Sequence, residues 1–517
     1  MFIINNCLID INENFNNLDK LVSNITGLNV FNAKLKRRSI DSRKKGQPKY
    51  CCSFIFDTLQ TEKALEIKGC AKYEEKEYKW PKALSYKNIQ RPVIVGFGPA
   101  GMFAALYLAR AGLKPIILEK GLDIDTRTKD VEKFFRTGTL NYASNVQFGE
   151  GGAGTFSDGK LNTGINDFRC DEVLKVFHKF SAPKEILYDA KPHIGTDILK
   201  DVVKNIRLEI ISLGGEILFD HNVTDLIINN GAIKSIICNK QIEISANKVI
   251  LAIGNSARDL YKLLYEKKAN LAQKPFSVGV RIEHRQDLIN NYKYHGFKGL
   301  PAADYKMAVH LKNGRGVYTF CMCPGGYVIN SSSEENGVVV NGMSFSKRDG
   351  LYANSALLVG VTTDDLKSSH PLAGIDFQRE IENKVYKLSG GFYPISQTVG
   401  DFLNYKPTKV LNDIKPTAKP LCKLGNINEV LPEFVVSALK EALPLMAKKI
   451  KGFDDKSAVL TAPETRSSSP VRILRNEDFE TNIKGLYAAG EGAGYAGGIM
   501  SSAVDGLKCA ENLFKCY

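Results

Sequence analysis

Residues 91–119, RPVIVGFGPAGMFAALYLARAGLKPIILE, contain the pattern that is most informative about the fold. The apolar run before Gly96 predicts a buried strand, the alanine-rich stretch after the glycines predicts a helix, and 115–118 predicts a second strand. In such a unit Gly96 makes the tight turn, Gly98 lets the backbone approach a pyrophosphate, and Gly101 lets helix and strand pack closely. The N-terminus of the helix then offers unpaired N–H groups to the phosphates.

Glu119 ends the second predicted strand, 23 residues after Gly96. A carboxylate at this position accepts a hydrogen bond from a ribose 2′-hydroxyl and repels a 2′-phosphate, so the stretch predicts FAD or NAD rather than NADP. The glycine spacing recurs at 149–154 and 492–497. The first copy lacks a helical pattern after it and the second precedes the last twenty residues, so neither predicts a separate NAD(P) domain.

Composition and charge limit the class of protein. The 517 residues predict two or three domains, and 44% hydrophobic with 24% charged residues is typical of globular proteins rather than disordered, collagenous or coiled-coil ones. A net charge of +14 attracts polyanions without choosing among nucleotide, nucleic acid and anionic lipid. No apolar run is long enough to span a membrane and the start lacks leader features, so we expect a cytoplasmic protein. The eleven cysteines have no metal-type spacing, so we expect reduced thiols and no metal.

Residues 1–88 predict a small basic α+β module whose strand–helix–strand–strand order suggests a ferredoxin-like unit. A predicted loop, Lys34–Lys49, carries eight basic residues in sixteen positions. One interpretation is nucleic acid binding. The other is a solvated loop or a contact with an acidic face of the main domain, and the absence of aromatic residues between the charges favours it. The polar stretch 72–90 is expected to be a linker.

Later segments suggest how a flat cofactor would be enclosed. Periodicity predicts a helix over Thr196–Ser212, a three-stranded meander between residues 222 and 244, and a buried strand ending at Gly254. Two glycine-dense loops, at 149–154 and 490–498, provide backbone that reaches a flavin ring without side-chain collision. A last helix over Ile499–Phe514 is expected to point its N-terminus at the ring and to stabilise its reduced anion.

These residues resemble the glutathione reductase-like FAD-binding superfamily. In that superfamily a meander interrupts the crossover and a late Gly–Asp pair holds the ribityl chain, whereas here the pair is Gly490–Glu491, one methylene longer. Nearly the whole chain also resembles a bacterial family of FAD-dependent dehydrogenases. That resemblance is carried by SIDSRKK at 39–45, QFGEGGAGT at 147–155, CMCPGG at 321–326, ETRSSSP at 464–470 and GEGAGYAGG at 490–498.

The resemblance implies an α/β fold with an FAD-binding Rossmann-like domain of the glutathione reductase type, formed by residues 91–275 and 455–517. An inserted antiparallel α+β domain would occupy 276–454. The cofactor would be non-covalent FAD, with NAD(P)H left open as a transient electron donor. The residues expected to bind the cofactor are Gly96, Gly98, Pro99, Ala100, Gly101, Glu119, Lys120, Gln147, Gly149, Gly152, Gly154, Thr155, Val223, Ala252, Gly254, Gly490, Glu491, Gly498 and Ile499.

The inserted part is expected to choose the substrate. Cys321 and Cys323 would share one face of a regular strand, too far apart for an unstrained disulfide. We hypothesise that the turn after Cys323 brings this thiol near the substrate face of the flavin; the alternative is a buried small side chain. Arg466 either clamps a carboxylate or oxyanion of the substrate or pairs structurally with Glu464 or another acid.

The sequence therefore predicts an FAD-dependent oxidoreductase that acts on a small organic substrate, without a membrane partner. Two alternatives stay open. One is an FAD-dependent RNA-modifying enzyme that uses the basic module, because bound RNA would be held by such charges. The other is a redox-responsive binding protein whose flavin only reports its redox state.

Overall fold

The structure is a computed structural model that describes residues 1–84, 90–411 and 413–517. These residues form an N-terminal module, a domain built on a parallel sheet, and an antiparallel-sheet region between the two segments of that domain. The predicted module boundary at residue 88 and part of the predicted linker, 85–89, lie outside the described residues.

The N-terminal module is an antiparallel sheet with two short helices. Its elements are β1 (Phe2–Asp10), α1 (Leu18–Thr26), β2 (Phe31–Asp41), β3 (Lys49–Asp57), α2 (Thr61–Glu66) and β4 (Cys70–Lys72). The strand order is β2-β3-β1-β4 with antiparallel neighbours throughout, and the β-α-β-β-α-β succession is that of the ferredoxin-like motif. Sequence periodicity did not reveal α2 and β4, because both are too short to show one.

The basic stretch is not a single loop. Lys34 to Arg38 lie inside β2, an edge strand on which charged side chains reach solvent or a neighbouring surface. Lys36 Nζ lies 2.6 Å from Asp171 Oδ2, and Arg38 Nε lies 2.9 Å from Asp189 Oδ1. Two of the basic residues therefore make the contact with acidic residues of the main domain that the second interpretation proposed.

The segment expected to be a linker is anchored before residue 85. Tyr78 Oη donates to Glu511 at 2.7 Å, and Trp80 Nε1 donates to Glu172 at 2.6 Å. Both rings pack against the core of the parallel-sheet domain. Two aromatic residues within a charged stretch are enough to fix this part of the segment on the domain surface.

The main domain has a five-stranded parallel sheet with helices on one face and a meander on the other. The sheet order is β23-β11-β5-β6-β7, and all four pairings are parallel. The elements of the first segment are β5 (Val93–Val95), α3 (Pro99–Arg110), β6 (Ile116–Leu118), α4 (Ile124–Thr137), α5 (Arg169–Lys179), α6 (Thr196–Ser212), β7 (Glu216–Leu218), β8 (Val223–Asn229), β9 (Ala232–Cys238), β10 (Ile242–Ser245), β11 (Val249–Leu251), α7 (Arg258–Glu266) and β12 (Leu271–Gln273). The second segment contributes β22 (Val471–Ile473), β23 (Leu486–Ala488) and α12 (Ile499–Phe514).

Helices α3, α5, α6 and α12 share one hydrophobic core on the first face of this sheet. The meander β10-β9-β8 and helix α7 share another core on the opposite face. Strands β5, β11 and β23 are buried on both sides, which explains their unbroken apolar sequences. The arrangement places the carboxyl ends of β5, β6 and β11 at one edge, where ligands of open α/β sheets bind.

The antiparallel region is built on a seven-stranded sheet with the order β14-β15-β18-β13-β21-β19-β20. Strands β16 and β17 form a separate pair, and helices α9 and α11 pack over the larger sheet. The elements are β13 (Phe276–Arg285), α8 (Gln286–Tyr294), β14 (Ala308–His310), β15 (Gly316–Cys323), β16 (Tyr327–Asn330), β17 (Val340–Met343), β18 (Tyr352–Val361), α9 (Ala373–Ser389), β19 (Ile395–Thr398), α10 (Val399–Leu403), β20 (Lys423–Leu424), α11 (Glu433–Ala447) and β21 (Val459–Glu464).

The boundary drawn at residue 455 differs from the strand pairing. Strand β21 pairs with β13 and β19 inside the seven-stranded sheet, so it belongs to the antiparallel region. The return to the main domain comes at β22, which pairs with β12. An apolar strand in either sheet has the same sequence pattern, which is why the sequence did not distinguish the two positions.

Candidate functional site

The glycines of the first turn have separate structural roles. A Cβ on Gly96, where φ is 98°, would lie 2.4 Å from the carbonyl oxygen of Ala252, and one on Gly101 would lie 1.9 Å from that of Gly96. These two positions serve backbone packing. A Cβ on Gly98 would meet only Gly152 Cα, at 3.7 Å. Gly98 is the N-cap of α3, so the backbone can be approached here beside the free N–H groups of the helix start.

Glu119 is buried at the end of β6 and is held by backbone donors. Its Oε2 accepts from the N–H of Phe97 at 2.8 Å, and its Oε1 accepts from the N–H groups of Gly121 and Gly149 at 2.9 and 2.8 Å. A carboxylate accepts about four hydrogen bonds, so capacity for one more hydroxyl remains. Glu119 thereby ties the first glycine turn to the second glycine loop.

A cavity of about 460 Å³ opens along this edge of the sheet. Its volume is within the range of roughly 300 to 1,000 Å³ that is usual for small-molecule sites. The cavity runs from the fingerprint to the seven-stranded sheet. Sixteen of the nineteen expected cofactor residues line it: Gly96, Gly98, Pro99, Ala100, Glu119, Lys120, Gln147, Gly149, Gly152, Gly154, Val223, Ala252, Gly254, Glu491, Gly498 and Ile499.

The other three expected residues, Gly101, Thr155 and Gly490, lie behind the cavity wall. Thr155 Oγ1 points at Gly151, where an added Cβ would lie only 2.2 Å away. A Cβ on Gly490 would lie 2.7 Å from Ala100 Cβ, so this glycine serves helix packing. These three positions are corrections to the expected contact set, and their conformations are explained by close packing of the backbone.

The two glycine loops meet although they are more than 300 residues apart in sequence. A Cβ on Gly154 would lie 2.9 Å from Ile499 Cγ1, and one on Gly152 would lie 2.9 Å from Gly98 Cα. The first loop therefore touches both the start of α3 and the start of α12.

Arg127 supports the first loop from beneath, and sequence reasoning missed it. Its guanidinium is fully buried and donates to the carbonyl oxygens of Asn145, Val146, Gly149 and Glu150 at 2.6 to 3.2 Å. Burial lowers its pKa to about 10. In the sequence Arg127 looks like one more charged residue on a polar helix, so no local pattern indicated its role.

Glu491 occupies the place of the acid in the late glycine pair. Asn255 Nδ2 donates to Glu491 Oε1 at 2.7 Å, and burial raises the pKa of Glu491 to about 7. Both residues line the cavity, beside Gly498. Asn255 was another residue that the sequence did not indicate, since a lone asparagine after a strand is typical of an ordinary turn.

Arg466 lines the cavity and is also held by a structural ion-pair cluster. Its guanidinium donates to Glu382 Oε2 at 2.7 Å and Oε1 at 3.1 Å, and to Ser333 Oγ at 2.7 Å. It also pairs with Glu334, which Arg258 shares. With its donors taken, Arg466 has little left for a substrate oxyanion. Its partners are Glu382 and Glu334 rather than the neighbouring acid considered in the sequence.

The hypothesis that Cys323 faces the cavity is wrong. Cys323 is fully buried, and Cys321 lines the cavity instead. Strand β15 contains a register shift between Phe320 and Cys323, and Cys321 has a φ of 41°. The bulge places the two cysteines differently from the alternation of a regular strand, on which the expectation rested.

The cavity fits a dinucleotide with a flat ring. A Cβ would meet nothing within 4 Å at Gly254 or Gly498, so the wall is open at these glycines. The start of α3 and the Glu119 carboxylate suit a pyrophosphate and a ribose.

The described residues contain no group of three or more His, Cys, Asp or Glu side chains arranged for a metal ion. Among them there is likewise no helix with the length and apolarity to cross a membrane.

Comparison with solved structures gives low similarity scores. A mutant of Escherichia coli quinol fumarate reductase matches with a TM-score of 0.36 and 14% identity over 82% of this chain and 70% of that chain. Glycine oxidase from Bacillus cereus matches with a TM-score of 0.34 and 13% identity over 83% and 95%. L-proline dehydrogenase from P. horikoshii gives 0.35 and 14% over 84% and 94%. Scores this low do not bear on function.

Sequence comparison is more specific. Residues 275–467 match the family model "FAD-dependent protein, C-terminal domain-like". A Clostridium beijerinckii protein described as "Uncharacterized protein" is 46% identical over 527 residues that cover 99% of this chain and 98% of that protein. The chain therefore belongs to the same family as the Clostridium beijerinckii protein, and its residues 275–467 contain the C-terminal domain of FAD-dependent proteins.

Proposed function

We propose that this protein binds FAD non-covalently and is an oxidoreductase that acts on a small organic substrate. One observation carries the proposal: a single cavity is lined by Gly96, Gly98 and the start of α3, by Glu119 and by residues of both glycine loops. No ordinary packing requirement brings three backbone-lined segments around a space of about 460 Å³. Bound FAD would supply two-electron transfer at its flavin ring.

The chain's own groups have distinct tasks in this proposal. The start of α3, with Gly98 and Ala100, would bind the pyrophosphate through backbone N–H groups. Glu119 would accept from the adenosine ribose through its remaining acceptor position. At the other end, the N-terminus of the sixteen-residue helix α12 follows Gly498 and would favour negative charge beside it.

The substrate would enter from the antiparallel region, where Thr319 and Phe320 of β15 and Asn341 of β17 line the far part of the same cavity. We propose NAD(P)H only as a donor that docks transiently. The glycine copy at 492–497 connects β23 to α12, and β23 is a strand of the five-stranded sheet already described. This copy is therefore part of the first nucleotide-binding domain and not of a second one.

The test compares FAD binding by three chains. Gly98→Ala fits the backbone, because φ is −78° and the nearest atom to the new Cβ is 3.7 Å away, but it places a methyl group beside the expected pyrophosphate. Gly316→Ala is the matched control, because its Cβ meets nothing within 4 Å and the residue does not line the cavity. We expect Gly98→Ala to fold normally and to weaken FAD binding at least about tenfold.

Reconstitution is followed by the visible spectrum and by calorimetric titration with FAD. Anaerobic addition of NADH and NADPH in separate samples then identifies a donor by bleaching of the flavin. A folded wild-type chain that does not bind FAD would overturn the proposal, as would equal FAD affinity in the wild type and Gly98→Ala. FAD binding without reduction by any donor, or without reoxidation by any acceptor, would instead favour the redox-responsive binding protein.

A further inference from the structure

Cys321 stands at the substrate end of the cavity in a strained backbone conformation. The bulge in β15 begins after Phe320, and Cys321 has a φ of 41° although it is not glycine. Positive φ in such a residue costs energy that the surrounding fold must supply, and such positions cluster at sites of function. Cys321 is partly exposed and lines the cavity. By contrast, strands β18 and β13 of the same sheet are almost entirely buried.

Two cations bind the backbone on either side of this thiol. Lys160, which also lines the cavity, is anchored by Asp158 at 2.7 Å and donates to the carbonyl oxygen of Met322. Arg281 is completely buried, and its NH1 donates to the carbonyl oxygen of Cys321 at 2.9 Å. A thiol in such surroundings is stabilised as the thiolate, which is the nucleophilic form.

The second thiol adds to this effect. Cys323 Sγ lies 3.3 Å from the carbonyl oxygen of Cys321, and Arg281 NH1 lies 3.9 Å from Cys323 Sγ. A hydrogen bond from Cys323, together with the charges of Lys160 and Arg281, holds the pKa of Cys321 well below its usual range. The same hydrogen bond and burial raise the pKa of Cys323. The two thiols are therefore unequal, and Cys321 is the one that ionises more readily.

An independent observation points to a ligand beside the pair. Tyr305 lines the same part of the cavity and is 7% exposed, and its hydroxyl has no hydrogen-bond partner among the described residues. A buried hydroxyl without a partner is costly, so a polar atom of a bound molecule would satisfy it.

We propose that Cys321 and Cys323 form a dithiol that exchanges with low-molecular-weight disulfides, RSSR. In the first step the Cys321 thiolate attacks one sulfur of RSSR, the S–S bond breaks, and RS⁻ leaves; Cys321 then carries a mixed disulfide. In the second step Cys323 loses its proton to the released RS⁻ and attacks Cys321 Sγ, so that the second RS⁻ leaves.

The sum of the two steps is balanced in atoms and electrons. The disulfide is reduced to RSH and RS⁻, and the thiolate–thiol pair is oxidised to a Cys321–Cys323 disulfide. Dithiothreitol restores the dithiol in the test. This inference concerns sulfur atoms of the chain and goes beyond the proposed function, because neither step requires flavin.

The probe is oxidised glutathione, added to the full chain after reduction with dithiothreitol and desalting. Peptide mass spectrometry at several pH values follows each cysteine. Exposed Cys516 provides an internal reference in the same molecule. At pH 6 we expect Cys321 to react at least about tenfold faster than Cys516, because more of it is thiolate. Equal or slower reaction of Cys321 would overturn the proposal without any variant.

Variants test each assignment. Cys323→Ser should accumulate the glutathione mixed disulfide on Cys321, whereas the wild type should pass to the internal disulfide, recognised by the loss of two hydrogens from the peptide. Lys160→Met should slow the reaction of Cys321 at pH 6 at least about tenfold, and Lys160→Arg should restore most of the rate. If the mixed disulfide does not accumulate in Cys323→Ser, the second step is wrong. An unchanged rate in Lys160→Met removes the electrostatic explanation.

The same exchange is measured in the Gly98→Ala chain. Exchange at Cys321 with no bound FAD supports the dithiol independently of the cofactor. Loss of exchange in this variant, while Cys516 still reacts, would contradict the independence that we propose. Circular dichroism of each variant confirms that the chain remains folded.

Discussion

At the residue scale, three glutamates removed wholly or partly from solvent distinguish this molecule. Glu283 and Glu464 are buried and Glu491 is partly buried, and desolvation raises the pKa of each to about 7. Glu464 has Arg281 as a partner at 2.6 Å, and Glu491 has Asn255. These three groups change protonation close to neutral pH, so both the stability of the fold and the charge of the cavity wall depend on pH in this range.

Glu283 gives the clearest prediction because it lies outside the cavity. Thr417 Oγ1 donates to Glu283 Oε1 at 2.5 Å, while the nearby Arg281 forms its ion pair with Glu464. The folded state holds the proton up to a pKa of about 7, against about 4.5 when unfolded, so stability falls as pH rises through this interval. We expect Glu283→Gln to match the wild type at pH 5 and to be more stable by about 3 kcal/mol at pH 8.

The measurement is the free energy of unfolding by urea at pH 5, 6, 7 and 8. The control is Glu335→Gln at an exposed position, and its free energy of unfolding should differ from that of the wild type by the same amount at every pH. A constant difference for Glu283→Gln across the series would mean that Glu283 is already ionised in the folded protein at pH 5.

Helix packing dominates at the element scale. Helices α3 and α12 come from opposite ends of the main domain, yet α12 lies directly against α3. Gly506 allows this approach, because a Cβ there would lie 2.1 Å from the carbonyl oxygen of Ala100. Ala100 also lines the cavity at the start of α3. The distance between these helices therefore fixes the position of the helix start that faces the cavity.

We expect Gly506→Ala to force the two helices apart. Overpacking of this kind costs roughly 1–3 kcal/mol, and the displaced start of α3 should also weaken FAD binding. Denaturant unfolding and calorimetric titration with FAD measure the two effects. Asn512→Ala on the same helix is the control, since its side chain makes local hydrogen bonds, donating to the carbonyl oxygen of Lys508 and accepting from Lys515 Nζ. Unchanged stability and affinity in Gly506→Ala would show that the helix contact adjusts without cost.

Sequence periodicity predicted the elements that pack locally. The helices at Thr196–Ser212 and Ile499–Phe514 have the predicted bounds, and the meander strands agree within one or two residues. Each has an apolar pattern that is complete within the element. The fingerprint was equally informative, because the close approach of Gly96 to Ala252 admits no other residue.

Elements that depend on distant partners were not predictable in the same way. The bulge at Cys321 arises from the pairing of β15 with β18, which follows some thirty residues later. Arg127 acquires its acceptors only when the loop 145–150 folds over it. The ion pairs of Arg466 with Glu382 join residues 84 positions apart. In none of these cases does local spacing contain the information.

The cavity is a property of the whole molecule. The fingerprint and the end of β11 form one wall, the late loop before α12 forms another, and β15 of the antiparallel region closes the far end. The pairing of β12 with β22 brings the chain back from that region to the main domain. Because residues from both segments and from the antiparallel region line one space, a bound dinucleotide would stabilise all of them together.

The N-terminal module joins this assembly through its edge strand. The N–H of Arg38 donates to the carbonyl oxygen of Tyr188 at 2.7 Å, and the N–H of Ala190 donates to that of Arg38 at 2.8 Å. The Arg38 side chain pairs with Asp189 and stacks on the rings of Tyr50 and Tyr188. Lys191, two residues after Asp189, lines the cavity. The module thus docks beside the end of the cavity that the antiparallel region forms.

Charge reversal tests this docking in the full chain. We expect Arg38→Asp to place two carboxylates together at Asp189 and to open the contact, so that the amides of Arg38 and Ala190 exchange hydrogen at least about tenfold faster. Asp189→Arg should act similarly. The double reversal should recover part of the protection, but not all, because an aspartate cannot stack on Tyr50 and Tyr188. Hydrogen exchange with mass spectrometry measures both amides, and unchanged protection in the single variants would show that backbone pairing alone holds the module.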